Sequence, residues 1–305
     1  MKIITSGKRY LDIDAYAGCI AYAELLNSRG EEVMAVSTAL PNESVNDTVR
    51  SWGDFFETNY VPTKDDEFII IDVSNPDHFD KIVKLEKVYE VIDHHIGHEE
   101  YWQSKLGDKA EIEFIGSVCT LIYERWQVAG VLKQMNPTTA KLLMCGILDN
   151  TLNFGAKVTT KRDIDAYKSL RKIADVQDDF AAQYFSDCQK AIMKDLASAV
   201  KNDSKIMIFK ALDKPVAMGQ LAVWDASEII TNGQDVIRQV LFNIESNWAM
   251  NLINISESKS YFITDNVDVQ KYFEKLLAVK FDGGTAVANR LWLRKEIVKQ
   301  DIESI

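Results

Sequence analysis

Short apolar runs alternate with stretches of helical periodicity through the first half of the chain. Several runs have strand length, and the strongest, FIIIDV and VYEVI, are nearly continuous, as in strands buried on both faces of a sheet: Lys2–Thr5, Val33–Val36, Phe68–Val73, Val88–Ile92 and Glu111–Ile115. Apolar residues recur at helical spacing over Tyr16–Ser28, Val45–Phe56, Ser117–Trp126 and Thr138–Leu148. Strands that alternate with helices predict an α/β fold with a doubly wound parallel sheet.

The order of elements changes in the second half. Strand patterns cover Lys205–Lys210, Val216–Trp224, Ala249–Asn254 and Tyr261–Thr264, and helical patterns cover Ala226–Glu245 and Val267–Leu277. Paired strands without strict alternation predict a smaller mixed α/β domain. We therefore expect an N-terminal domain over residues 1–185 and a C-terminal domain over residues 195–305, with a hinge near Phe185–Lys194.

Composition and charge narrow the functional classes. The 305 residues are 47% apolar and 27% charged, which is ordinary for a globular protein, and the net charge is −11. Such an acidic chain lacks the basic footprint of stable nucleic-acid or anionic-membrane binding, although a small anion could bind in a locally cationic pocket. We see no apolar run of about 20 residues and no signal-peptide core, so we expect a cytoplasmic protein whose scattered cysteines are reduced and buried.

Polar residues collect where the predicted strands end. Aspartates follow the first and third strands, an Asp–His–His triplet follows the fourth, and all four histidines lie between His78 and His98. Ligands of open parallel sheets bind beyond the carboxyl ends of the strands, so these side chains should meet. The alternative is that Asp12 and Asp14 cap the next helix and that Asp72 starts an Asx turn.

Carboxylates and imidazoles that converge in one crevice repel one another unless a cation neutralises them. This donor set suits Mn, Fe, Zn or Co better than Ca. Two aspartates at i and i+2, with a third on the neighbouring strand, could hold two ions as in two-metal hydrolysis. The pattern therefore favours a metal site over simple helix capping.

A set of motifs in a fixed order resembles the DHH phosphoesterase superfamily. The motifs are DIDA at 12–15, the strand-end Asp72, DHH at 93–95, GSVCTLIYE at 116–124 and ILDNTLNF at 147–154. The second half resembles the DHHA2 branch, which contains the manganese-dependent (family II) inorganic pyrophosphatases and the exopolyphosphatase and prune-type enzymes. LWLRKEIV at 291–298 resembles the phosphate-binding segment of the pyrophosphatases.

The resemblance implies a role for each matching residue. The implied metal ligands are Asp12, Asp14, Asp72 as a bridge, His94 and Asp149, with Asn150 open as the last ligand. His95 would face the substrate phosphate or act as an acid, Gly116 and Ser117 would open a helix beside the site, and Arg294 and Lys295 would clamp phosphate. The implied cofactor is Mn²⁺, or Mg²⁺ or Co²⁺, as one or two ions. The implied substrate is a small phosphorylated compound, and a homodimer is possible.

Four departures from the family pattern together reduce the positive charge available to bind a phosphorylated substrate. Lys8 stands where the pyrophosphatases have a histidine ligand, Val73 replaces a histidine, Ser186 falls near an expected lysine, and Glu296 replaces a lysine. We therefore expect a phosphohydrolase that cleaves a P–O bond of a phosphoester, nucleotide or polyphosphate with a metal-activated water. The alternatives are an inorganic pyrophosphatase or exopolyphosphatase, and a degenerate relative that binds nucleotide or metal with little catalysis.

Overall fold

The computed structural model describes residues 1–53, 55–210 and 212–303. The chain divides into two compact units, Met1–Ala181 and Ala182–Ile305. The segment Phe185–Lys194, which we expected to be a hinge, is part of a continuous helix, Phe180–Lys194. The division between the units lies near the start of that helix.

The first unit contains a five-stranded parallel sheet in the order β2-β1-β3-β4-β5. Its strands are β1 (Lys2–Thr5), β2 (Val33–Ala35), β3 (Glu67–Ile71), β4 (Val88–Asp93) and β5 (Ala110–Ile112). Its helices are α1 (Ile13–Ser28), α2 (Asp47–Arg50), α3 (Glu99–Leu106), α4 (Val118–Val128), α5 (Pro137–Thr151) and α6 (Lys161–Ala174). The parallel α/β architecture predicted from the sequence is confirmed.

Helix α1 lies at the centre of the first unit. Nearly all of its residues from Ile13 to Leu26 are buried, as expected of a helix covered on every side. It packs against α4 and α5 as well as the sheet. Gly146 of α5 permits a very close approach, because a Cβ atom there would lie 2.9 Å from Asp14 Oδ1. This packing fixes the start of α1 next to the end of β1.

A separate apolar cluster covers part of the sheet. It joins strand residues to Phe79 and to Trp102 of α3, whose rings stack with centroids 5.6 Å apart. The Trp102 indole N–H donates to Ser74 O at 2.6 Å, which ties α3 to the segment that follows β3. The bond therefore links the segments that follow β3 and β4.

The second unit contains a six-stranded mixed sheet in the order β10-β11-β9-β8-β7-β6. Its strands are β6 (Ser204–Phe209), β7 (Lys214–Val223), β8 (Trp248–Asn254), β9 (Lys259–Ile263), β10 (Phe281–Asp282) and β11 (Thr285–Ala288). Its helices are α7 (Phe180–Lys194), α8 (Leu196–Asn202), α9 (Gln234–Ile244), α10 (Val267–Leu277) and α11 (Arg294–Glu303). In the described part of this second sheet, β7 and β8 pair in parallel and the other neighbours pair antiparallel. The predicted mixed α/β region is confirmed.

Two helix predictions differ from the structure. Among the described residues of the predicted helix Val45–Phe56, the helix is limited to Asp47–Arg50, because Asn46 caps the start and Gly53 takes a positive φ of 152° soon after the end. Of Ala226–Glu245, residues Ile229–Gly233 form a π-helical turn before α9 begins. The first prediction is therefore too long, whereas the second has the correct extent, since residues 227–244 are helical with a π-helical turn inside.

Two further expectations from the sequence concern the cysteines and the apolar helices. All four cysteines are buried and in the thiol form. Among the described residues, none of the helices combines the length and the apolar character needed to cross a bilayer.

Candidate metal centre

The candidate centre lies at the carboxyl ends of β1, β3 and β4, which are neighbours in the sheet. Asp12 follows β1 and caps α1, Asp72 directly follows β3, and His94 and His95 directly follow β4. Parallel strands deliver these side chains to one edge of the sheet, as the sequence pattern predicted. Single ligand atoms of Asp72, His94 and His95 all lie within 4.8 Å of one another.

Both the backbone conformation of Asp72 and the burial of its carboxylate are energetically unfavourable. Its side chain is 6% exposed, and its backbone φ is +64° in the left-handed region. Burial raises the pKa of Asp72 well above its ordinary value, and the carboxylates of Asp12 and Asp14 raise it further. A cation in contact with Asp72 would offset the electrostatic cost of burying its charge beside two other carboxylates.

His94 points one ring nitrogen at the carboxylates and anchors the other. Its Nδ1 lies 3.0 Å from Ile115 O, which can only accept, so Nδ1 donates and Nε2 is the nitrogen that faces the carboxylates. Nε2 lies 3.2 Å from Asp72 Oδ1 and 3.6 Å from Asp14 Oδ2. Metal-bound histidines usually donate their other N–H to a carbonyl or carboxylate in this way.

Asp14 is oriented by the N-terminus of α4. Its Oδ1 accepts from Ser117 Oγ at 2.6 Å and from the Cys119 amide at 3.1 Å, and its Oδ2 accepts from the Val118 amide at 3.0 Å. A helix N-terminus stabilises a carboxylate through its free amides and its dipole. Oδ2, with one such bond, is the oxygen that faces His94. The prediction that Gly116 and Ser117 open a helix beside the site is confirmed, since Ser117 is the N-cap of α4.

Asp12 caps α1, and its carboxylate lies within electrostatic range of Asp14, His94 and His95. Its Oδ1 accepts from the Ala15 amide at 3.0 Å, so the simple capping interpretation is correct for one oxygen. Burial raises the pKa of Asp12, the Ala15 amide opposes the rise, and the Asp14 carboxylate adds to it. Capping and metal binding therefore do not exclude each other at this residue.

His95 lies at the open side of the cluster. Its ring is 57% exposed, and its Nδ1 lies 2.9 Å from Asp93 Oδ1 and 3.8 Å from Asp72 Oδ1. Asp93 Oδ1 also accepts from the amides of His94 and His95 at 2.7 and 3.1 Å. Burial raises the pKa of Asp93, but the hydrogen bond and charge of His95 outweigh it and the net pKa is lowered. We did not assign Asp93 a role from the sequence, although its position at the start of the DHH motif was a signal.

The other predicted site residues belong to α5 and α11. Asp149 and Asn150 are half-buried near the end of α5, one turn beyond the Gly146 contact with Asp14. In the second unit, Arg294 is buried and its guanidinium binds Asp203, with Nη2 2.6 Å from Asp203 Oδ1. Lys295 is exposed. The metal role of Asp149 and the phosphate role of Arg294 and Lys295 stay predictions.

The donor set fits a divalent cation. Within residues 1–53, 55–210 and 212–303, Asp72 Oδ1 and His94 Nε2 are buried atoms without a hydrogen-bond partner. Buried polar atoms are nearly always paired, so two orphan acceptors 3.2 Å apart require a proton or a cation between them. Oxygen and imidazole donors suit manganese and related ions.

Comparison with known families agrees with this site. The model of the DHH family, N-terminal domain, matches residues 2–147, which include the ends of β1, β3 and β4. Over this stretch the chain is similar to the N-terminal domain of the DHH family. The match ends within α5, so it does not test Asp149 or the second unit.

Full-length relatives extend the similarity beyond the DHH domain. The manganese-dependent inorganic pyrophosphatase of Methanocaldococcus jannaschii is 24% identical over 316 aligned positions, which cover 97% of each chain. The crystal structure of a Methanococcus jannaschii protein proposed to be a family II inorganic pyrophosphatase has a TM-score of 0.72 at 23% identity, covering 100% of this chain and 99% of the other. An exopolyphosphatase-related protein from Bacteroides fragilis has a TM-score of 0.52 at 13% identity, covering 100% and 91%. The two structures establish a shared fold.

Proposed function

We propose that the protein is a divalent-metal-dependent phosphohydrolase that uses Mn²⁺. The observation that carries the proposal is the pair of buried, unbonded acceptors, Asp72 Oδ1 and His94 Nε2, in the stretch that is similar to the DHH family domain. The proposed ligands are Asp12, Asp14, Asp72, His94 and Asp149. Residues 1–185 would form the metal-binding phosphoesterase domain, and residues 195–305 a DHHA2-like phosphate-binding domain.

The chain's own residues divide the work of P–O bond hydrolysis. A bound divalent ion supplies charge for the phosphoryl oxygens and lowers the pKa of water. Asp14 and His94 are held by fixed hydrogen bonds, so they lose little freedom when they bind an ion. His95, on an exposed ring anchored by Asp93, is placed to bind a phosphoryl oxygen or to donate a proton to the leaving oxygen.

The substrate is proposed to be a phosphoester, nucleotide or polyphosphate. Pyrophosphate concentrates negative charge and needs several free cations, whereas two arginines near the start of α11 already pair with acids. Arg290 Nη2 lies 2.9 Å from Glu296 Oε2, and Arg294 pairs with Asp203. Lys8, at the position of a family histidine, is exposed. Pyrophosphate hydrolysis is the second candidate, because the pyrophosphatase relative aligns over 97% of this chain.

A substrate panel on metal-reconstituted protein tests the proposal. Protein stripped of metal would receive Mn²⁺, Mg²⁺ or Co²⁺ and would be assayed on pyrophosphate, polyphosphate, nucleotides and simple phosphoesters. We expect activity with Mn²⁺ and a higher kcat/KM for a phosphoester than for pyrophosphate. Equal or faster turnover of pyrophosphate would replace the first candidate by the second. Less than one tightly bound ion, with no activity on any added metal, would indicate a degenerate relative. A cytoplasmic location and a homodimer stay predictions from the sequence.

A further inference from the structure

Asp163 lies outside the candidate metal centre, on a helix that supplies none of the proposed ligands. It belongs to the first turn of α6, and its side chain is fully buried. It forms a capping box with Thr160, in which Asp163 Oδ2 accepts from the Thr160 amide at 2.7 Å. A cap does not require burial, since Asp195 caps α8 at an exposed position. The burial of Asp163 therefore calls for a second explanation.

The same carboxylate also holds the segment that enters α4. Its Oδ2 accepts from the Gly116 amide at 3.2 Å, and its Oδ1 accepts from Thr120 Oγ1 at 2.6 Å. A Cβ atom on residue 116 would lie 2.6 Å from Asp163 Oδ2, so only glycine allows this approach. Asp163 thus ties the start of α6 to both sides of the α4 N-cap.

The segment that Asp163 holds is the one that orients two proposed ligands. In this segment, the 115–117 turn, Ile115 O fixes His94 Nδ1 at 3.0 Å, and Ser117 Oγ donates to Asp14 Oδ1 at 2.6 Å. Gly116, which Asp163 binds, lies between these two residues. A shift of the turn would therefore move an imidazole and a carboxylate of the centre together.

We propose that Asp163 is a positioning residue of the metal centre, which fixes the 115–117 turn so that the turn orients His94 and Asp14. The inference rests on the proposed metal-binding function, because it concerns the residues proposed as ligands. Partners behind metal ligands typically change metal affinity by 10- to 100-fold when they are removed. Asp163 would act indirectly. It would hold the Gly116 amide, and the 115–117 turn would in turn hold His94 and Asp14.

The main test is the Asp163→Ala variant, with two readouts. Mn²⁺ binding would be measured by electron paramagnetic resonance of the free ion, and we expect Kd to rise about tenfold or more. In the metal-free protein, long-range ¹H–¹⁵N correlations report the tautomer of His94. We expect a single Nδ1–H form in the wild type and a mixture in Asp163→Ala. Asp163→Asn can turn its oxygen to the Gly116 and Thr160 amides, so it should restore most of both properties.

Two threonine variants separate positioning from helix capping. Each removes one hydroxyl that donates to Asp163: Thr120→Val on the side of the turn, and Thr160→Ala on the side of the cap. We expect Thr120→Val to raise the Kd for Mn²⁺ several-fold and to mix the His94 tautomers. We expect Thr160→Ala to lower Tm and to leave the Kd for Mn²⁺ and the His94 tautomer unchanged.

Each outcome decides the question. If Asp163→Ala lowers Tm but keeps the wild-type Kd and His94 tautomer, Asp163 is only a helix cap and the inference fails. If Asp163→Ala does not fold, equal Kd values and tautomers in the two threonine variants overturn it. If the wild type binds none of Mn²⁺, Mg²⁺ and Co²⁺, the proposed function fails, and the tautomer comparison in metal-free protein still decides whether Asp163 positions His94.

Discussion

At the scale of the residue, Asp72 carries the strongest indication of function. A left-handed backbone at a residue other than glycine, a buried carboxylate and two nearby carboxylates each cost folding free energy. Proteins keep such costs where the surrounding structure and a ligand require them. Asp14 shows the opposite arrangement, because the N-terminus of α4 stabilises its charge. The centre thus contains one carboxylate whose burial is unfavourable, Asp72, and one whose charge is stabilised by hydrogen bonds, Asp14.

Replacement of Asp72 by asparagine should separate folding from function. Asparagine tolerates the left-handed backbone and removes a buried charge, so we expect Asp72→Asn to keep the wild-type fold and Tm in metal-free protein. Loss of a ligand should lower kcat by at least about 100-fold, the upper end of what a partner behind a ligand contributes. Circular dichroism and a phosphohydrolase assay measure the two effects. Persistent activity would show that Asp72 is not a bridging ligand.

At the scale of the element, strands were easier to predict from the sequence than helix ends. Continuous apolar runs located β1, β3 and β4, and their carboxyl ends located most of the site. The helix Val45–Phe56 was overpredicted because periodicity does not report the caps and glycines that stop a helix. Strands β10 and β11 were missed although Gly283 and Gly284, both with positive φ, form the turn of a hairpin. Asp163 was missed because a Thr–x–x–Asp capping pattern does not reveal what the carboxylate contacts across the fold.

The contact between α1 and α5 predicts a coupled defect in Gly146→Ala. The added Cβ atom would lie 2.4 Å from Cys119 Sγ and 2.9 Å from Asp14 Oδ1. We expect a loss of about 1–3 kcal/mol in the free energy of unfolding, as for other overpacked cores, together with weaker Mn²⁺ binding. Urea unfolding and Mn²⁺ titration measure these effects. Adding Cys119→Ala removes one clash and should recover part of the stability. Strictly additive losses would show that this contact is not the cause.

The start of β3 gives a pH-dependent prediction away from the centre. Asp66 is buried, and its Oδ2 accepts from Tyr60 Oη and from the Thr63 amide, both at 2.7 Å. Burial raises the pKa of Asp66, but these hydrogen bonds outweigh it and the net pKa is lowered. The stabilisation is therefore complete above the ordinary pKa of 3.8 and is lost as pH falls through the lowered value.

We therefore expect Asp66→Asn to destabilise the protein by about 2 kcal/mol at pH 7, the scale of hydrogen bonds to a charged group. The difference from wild type should shrink as pH falls below 3.8. Urea unfolding at several pH values measures it, with Asp65→Asn at the exposed neighbouring position as the control. A difference that is constant with pH would show that the carboxylate charge is not involved.

At the scale of the whole molecule, each unit contains apolar clusters of its own residues. One cluster of the first unit packs on the parallel sheet, and clusters of the second unit lie about β7, β8 and β9. From the length and the change in element order we expected two domains with a boundary between Phe185 and Lys194, whereas the two compact units divide between residues 181 and 182. Helical periodicity continues through α7, so the sequence has no composition break at residue 181.

Metal binding should therefore stabilise the two units unequally. A ligand that binds only the folded state adds about 2.7 kcal/mol when its free concentration is 100 times Kd. Because the proposed ligands all lie in the first unit, we expect Mn²⁺ to slow amide hydrogen exchange in β1, β3 and β4 by up to about 100-fold. The amides of β7 and β8 should change much less. Hydrogen-exchange mass spectrometry with and without Mn²⁺ measures both sets, and Asp72→Asn is the control that should show no protection. Equal protection of β7 and β8 would mean that the units unfold together, and protection of those strands alone would place the metal site in the second unit.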